Sequence, residues 1–460
     1  MGAEDDYPPG DFPHEEKPRS KWTSKASSLM PAVVANNMPQ TIPTKHDDTQ
    51  DYLLGTRGCL AIMGFLWVFL RTFAPAAVAH SANDTGPPAQ IGLRKSLSVL
   101  FWNDTLIYNS IIFLSARMIC LPFLLDPSKT TLASSVLRRG LRLWIPTAAC
   151  LIVIWIAFSL NLGNQYLQDF ADQTLNASMT SDLLVLDTHL KNFNAIFDLF
   201  WISHEFSYQA GNWAFPTQTL WIVSAIFQQS YTVYAAMVII PYTRKSWRII
   251  GAAFFIITAW WVYSWAWFSI SGLLLADFVV DMDFRAKCQR HKLWAFGAAA
   301  ALMAAGFLMQ FLWVTAFPDL YTAEINYHTG LYNYGGVYTW RDFDTGEPQL
   351  RADDYLVIIG FHLLLETSSL ARKIFSNPFF LFLGKRSFSY YLLQSIIVYT
   401  MGVKIVTNTI GDSLDGYTRA SGISFIACLL VTLAAGEVFY QTIDRFSKWF
   451  AHKVFAWIRE

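Results

Sequence analysis

The sequence predicts an all-α integral membrane protein, a bundle of about ten transmembrane helices with both termini in the cytosol. Three observations predict it. Only 15% of the residues are charged while 53% are hydrophobic, whereas a soluble domain carries about a quarter charged residues. Apolar runs able to cross roughly 30 Å of hydrocarbon recur along the chain. The Lys and Arg residues between those runs fall on alternate sides with a strong bias.

The elements follow in order. Residues 1–50 are polar and open on Glu4, Asp5 and Asp6, which suits a disordered cytosolic tail. The first apolar run begins near Gly58, too late for a secretory leader, and Asp6 stands where a myristoylation signal needs Ser or Thr. Spans are expected at 58–79, 106–125, 143–162, 219–240, 247–264, 265–281, 293–316, 355–371, 387–405 and 421–441. Residues 51–445 thus form the membrane domain and 446–460 a cytosolic C-terminal segment. The fifth and sixth spans are cramped, since two full crossings take roughly 40 residues. Charge decides between one span and two. Ten spans with a cytosolic N-terminus put 25 of the 34 Lys and Arg in the cytosol and seven opposite, with Arg71 and Arg117 inside spans. Merging the pair would reverse the rest of the chain.

The sequons at Asn83 and Asn176 then fall on the lumenal side, where glycosylation is expected. None of the five Cys lies in a lumenal loop, so disulfides are not expected. These features fit the endoplasmic reticulum, another endomembrane or the plasma membrane alike.

Ionisable residues inside spans are costly and mark candidate sites. Here they are Arg71, Arg117, Asp277, His362, Glu366 and Glu437. Arg71, near a helix end, can snorkel. Asp277 and Glu437 are equally readable as packing partners for an arginine. His362 and Glu366, four residues apart, share one helical face. That spacing suits a general base oriented by a carboxylate, or a polar pair that holds the eighth span to its neighbours. Arg117 needs a carboxylate, and Glu366, Asp277 and Glu437 are the candidates. The cluster Arg138-Arg139-Gly140-Leu141-Arg142 places Arg139 and Arg142 on one face, either as a phosphate grip or as a topology anchor. No nucleotide loop, zinc or other metal motif, or serine triad signature occurs, and no nucleic-acid partner is expected.

Several motifs in sequence resemble the acyltransferase type 3 family of ten-helix membrane proteins, in a fungal-type branch. They are Tyr52-Leu53-Leu54-Gly55-Thr56-Arg57-Gly58, Phe113-Leu114-Ser115, Arg139-Gly140-Leu141-Arg142 with Pro146, Leu220-Trp221 with Phe227-Gln228, the run from Gly384 to Leu393, and Ile443-Asp444-Arg445. The resemblance implies transfer of an acyl group from an acyl-CoA co-substrate to a hydroxyl of a sugar, lipid or natural product, with no bound cofactor. It implies that Arg57 belongs to a catalytic Arg…His pair and that Arg139 and Arg142 belong to the donor site. The sequence departs from the pattern at Val68, Ile226 and Gln394, where polar residues are usual, and at Ala116 in place of Gly. A relocated base, His362 supported by Glu366, is therefore expected, with Arg117, Ser115 and Gln394 lining the acceptor pocket. The alternative is a member without chemistry that binds or passes a lipid or metabolite.

Overall fold

The computed structural model describes residues 50–78, 86–159, 164–174, 186, 188–202, 206–318, 324, 348–409 and 414–459. The N-terminal tail and both sequon asparagines, Asn83 and Asn176, lie outside them. Every regular element among the described residues is helical. Ten helices build the bundle: α1 (Asp51–Phe73), α2 (Asp104–Leu125), α3 (Lys129–Ile154), α4 (Trp221–Ile239) and α5 (Lys245–Trp261), then α6 (Ala266–Asp281), α7 (Lys292–Thr315), α8 (Ala352–Thr367), α9 (Pro378–Ile397) and α10 (Leu414–Phe439). An amphipathic α11 (Arg445–Arg459) follows.

Among the described residues, seven helical stretches, those containing α1, α2, α3, α4, α7, α9 and α10, are long and apolar enough to cross a bilayer. The short helix Ser369–Phe375 follows α8 at a bend of 105°, and this pair makes an eighth if it counts as one span. The chain therefore has the build of a multi-pass membrane protein. Its outer surface agrees: Leu293 and Trp294 on α7 are 88% and 83% exposed. In water such a helix would present a sticky surface, whereas lipid solvates it at no cost.

The bend after α8 has a local cause. Ser368 leaves the helical conformation, and its Oγ accepts from the Ala371 backbone N–H to start the next helix. Arg372 then donates to the carbonyls of Leu365 and Glu366, at 2.9 and 2.7 Å, capping the end of α8.

The cramped pair is a hairpin of two helices, α5 and α6, of 17 and 16 residues. Tyr263 takes a left-handed conformation (φ 55°) in the turn. The start of α5 meets the end of α6: Arg248 Nη1 lies 3.0 Å from Asp277 and 2.8 Å from Asp281. The chain reverses here, so no single merged helix exists. Each helix is about 25 Å long at 1.5 Å per residue, slightly under the hydrocarbon thickness.

Loop contacts sort the bundle into two ends. At one, Trp102 Nε1 donates to Ala77 O at 2.9 Å, Tyr417 OH to Phe73 O at 2.6 Å, and Leu350 N to Tyr263 OH at 3.0 Å. At the other, Gln289 Nε2 donates to Thr367 O at 2.7 Å, and Arg138 to the His452 ring of α11. Arg138, Arg285 and Arg372 lie at this second end.

Two glycines let α1 and α9 touch backbone to backbone. A Cβ on Gly58 would lie 2.3 Å from Phe380 O, and one on Gly384 1.9 Å from Leu54 O. Small residues at such crossings are a general device of membrane helices. Here the close crossing sets Arg57 and Lys385, the next residues along, against one space. Gly384→Ala is therefore expected to cost at least about 1–3 kcal/mol by overpacking, read as a lower melting temperature in detergent. Gly251→Ala on α5, where nothing lies within 4 Å, is expected to be neutral or to raise stability by up to about 1 kcal/mol. An unchanged melting temperature for Gly384→Ala would contradict the close crossing.

Candidate functional site

Helical periodicity places Ser135, Arg138, Arg139 and Arg142 of α3 on one face. They line a cavity of about 450 Å³, joined by Arg57 from α1, Lys385 from α9 and Lys448 from α11. Six cationic side chains thus surround one space. The single carboxylate in the lining among the described residues, Asp444, belongs to a π-helical turn over Tyr440–Asp444 that directs both Tyr440 and Asp444 into the cavity. Such turns in otherwise α-helical chains recur at functional sites. Lys448, one turn on, forms an ion pair with Asp444.

The cations are held differently. Arg139 is fixed: its Nη2 donates to Ser115 Oγ at 2.6 Å and its Nε to Ser230 Oγ at 2.9 Å. Arg57 is half-buried, and its guanidinium forms no hydrogen bond among the described residues. Arg142 and Lys385 are exposed at the mouth. Deeper in, the lining turns aliphatic, with Ile107, Ile111, Leu114, Ile222 and Ile226, and includes Gly64 and Gln394. A cationic mouth on an apolar shaft matches an amphiphile with an anionic head.

The structure brings together Arg57, Arg139, Arg142, Ser115 and Gln394 in this cavity. It places Arg117, His362 and Glu366 elsewhere. None of the three lines the cavity, and they form a separate buried cluster between α1, α2 and α8. The i, i+4 spacing predicts Glu366 on His362, but Arg117 takes both. Its Nη1 donates to His362 Nδ1 at 2.9 Å, and its Nη2 contacts Glu366 Oε1 in an ion pair. Since guanidinium only donates, His362 Nδ1 is the acceptor, which leaves a neutral ring protonated on Nε2. The ring packs 4.7 Å from that of Phe113.

Glu366 is saturated. Tyr52 OH donates to Oε1 at 2.6 Å, and Arg285 Nε to Oε2 at 2.7 Å. Arg117 Nη2 and Arg285 Nη2 each donate to Tyr52 OH at 3.0 Å. Burial opposes the charge on Arg285, but Glu366 and Tyr52 outweigh it and its pKa is raised. Of the three carboxylates open to Arg117, Glu366 is therefore the partner. Asp277 pairs with Arg248, and Glu437 with Arg386. Arg71 donates to Thr217 O at 3.0 Å and lies over the Trp67 ring.

Sequence reasoning missed Lys448, Asp444 as a cavity residue, and the Tyr52–Arg285 half of the buried cluster. An available signal was the i, i+4 pair Asp444 and Lys448 just beyond the last span. It also missed a buried acidic group near the opposite end. Asp354 there is 0% exposed and accepts from Asn109 Nδ2 at 2.7 Å and Gln310 Nε2 at 2.6 Å. Beside it, Arg351 grips Asp353 through two nitrogens.

Compared with known proteins, the chain matches no family model, no curated protein and no solved structure.

Proposed function

We propose that the cavity binds an acyl donor bearing several phosphates, a coenzyme A thioester, and that the protein transfers its acyl group to a hydroxyl of a sugar, lipid or natural product. One observation carries the proposal: among the described residues, six cations from four helices converge on one cavity that contains a single carboxylate. Guanidinium forks grip phosphate in a bidentate manner, and a cationic surplus in a confined, partly apolar space seeks an anion. The aliphatic shaft would take the acyl arm. In the proposed topology all ten helices cross, both termini are cytosolic, and the cationic end faces the cytosol.

The transfer uses few groups. The acceptor oxygen attacks the thioester carbonyl carbon, the C–S bond breaks, and the sulfur leaves as thiolate with the bonding pair. The hydroxyl proton passes to a base and from it to the thiolate. Asp444 replaces His362 as the proposed base, because His362 Nδ1 is spent on Arg117 and its ring is outside the cavity. Arg57, free of other hydrogen bonds, is placed to steady the oxyanion.

The test is equilibrium binding of acetyl-CoA to the purified full-length protein in nanodiscs, followed by transfer of labelled acetyl to a panel of hydroxylated acceptors. Saturable binding is expected, weakening as salt rises. No binding at low salt sinks the proposal. A second reading is a binder without turnover, favoured by one observation: no histidine lines the cavity among the described residues. Binding without product for any acceptor supports it. The expected result for Asp444→Asn under the first reading is retained binding with turnover lowered roughly 10²–10⁴-fold.

A further inference from the structure

Besides its cationic mouth, the cavity has a polar group in its depth. On α9, Lys385 and Gln394 both line it, and nine residues separate them by about 13 Å along the axis. Gln394 is 3% exposed, and its Oε1 has no hydrogen-bond partner among the described residues. The same cavity is lined by the aliphatic Ile107, Ile222 and Ile226 of α2 and α4. Across from this glutamine stands Gly64, where a Cβ would come to 3.4 Å from Gln394 Nε2 and cover the amide. A buried acceptor left unpaired costs about 1–3 kcal/mol, and a leucine at this position would avoid that cost. An unpaired amide kept at the end of an apolar shaft is built to meet a ligand.

The geometry points to Gln394 as the acceptor of a hydrogen bond from the inner part of the bound molecule. The group that reaches this depth carries an O–H or N–H and is not a plain alkyl chain, which would leave Oε1 unpaired. This inference rests on the donor-site proposal and adds a specificity to it. Two sources offer such a donor: an amide N–H of the pantetheine arm, and a hydroxyl on the acyl chain or the acceptor.

The experiment compares wild type with Gln394→Leu, full-length in nanodiscs, by calorimetric titration with 3′,5′-ADP, coenzyme A, hexanoyl-CoA and 3-hydroxyhexanoyl-CoA. Gln394→Met, unbranched and flexible, replaces the leucine variant should that fail to fold. 3′,5′-ADP, which engages only the mouth, is expected to bind both proteins alike. If the pantetheine amide is the donor, the three coenzyme A ligands weaken together by about tenfold. If the hydroxyl is the donor, only the hydroxyacyl ligand weakens. The unliganded variant is expected to melt higher than wild type, because a stranded polar group is gone. Unchanged affinities for all four ligands overturn the inference and leave the donor site standing. Failure of wild type to bind any of the four overturns both.

Discussion

Arg139→Ala is expected to weaken acetyl-CoA binding by roughly a hundredfold, the scale seen when one partner of a desolvated, hydrogen-bonded charge pair is removed. Two serines hold this guanidinium, at 2.6 and 2.9 Å, so it meets a phosphate without first losing side-chain freedom. Arg139→Lys is expected to recover only part of the loss, because an ammonium cannot reproduce the planar fork that Ser115 and Ser230 orient. Arg142→Ala and Lys385→Ala, exposed at the mouth, are expected to cost far less and mainly to flatten the salt dependence. Titration of each variant at low and high salt measures both effects. Equal losses at Arg139 and Lys385 would mean that the ring acts only as diffuse charge. No loss at Arg139 would remove the donor site.

Glu366→Ala should be the most destabilising single change in the bundle, at about 3–5 kcal/mol. Arg117 and Glu366 are both 0% exposed. Deleting the carboxylate leaves the Arg117 guanidinium fully buried without its ion-pair partner, with the Arg285 guanidinium beside it. Arg285→Ala should cost much less, roughly 1 kcal/mol, because Arg285 is 29% exposed and the Arg117 pair survives. His362→Gln keeps an acceptor for Arg117, so near-normal stability and unaltered acetyl-CoA binding are expected. Thermal melts in detergent, paired with yields of monodisperse protein, measure the series. A stable Glu366→Ala protein would show that the cluster is solvated. Loss of acetyl-CoA binding in a well-folded His362→Gln protein would return that ring to the site.

These two experiments probe two clusters that the sequence offers as candidates separately, the charges inside spans and the basic run before the third span. Arg139 and Arg117 look alike in the sequence, each a cation beside or inside an apolar run. Separating them takes a partner census. Arg117 hydrogen-bonds to a carboxylate, a phenol and an imidazole, while the Arg57 guanidinium forms no hydrogen bond among the described residues.

Composition and period determined a good deal by themselves. Apolar runs and sparse charge dictate a helical bundle, because hydrocarbon tolerates only segments that satisfy their own backbone hydrogen bonds. The reversal at Tyr263 was legible in the alternation of basic segments, and the shared face of Arg139 and Arg142 in their spacing alone. Tertiary structure decided which charges meet. Glycines 58 and 384 draw α1 and α9 into backbone contact and so bring Arg57 to Lys385, more than 300 residues away in sequence. The i, i+4 rule put Glu366 beside His362, yet a guanidinium from α2 outcompetes the ring, because an ion pair offsets the burial of a carboxylate far better than a neutral imidazole does. Local spacing reports only one helix's own neighbours. A site assembled from four helices is set by how closely their backbones pack, and no single stretch of the chain encodes that.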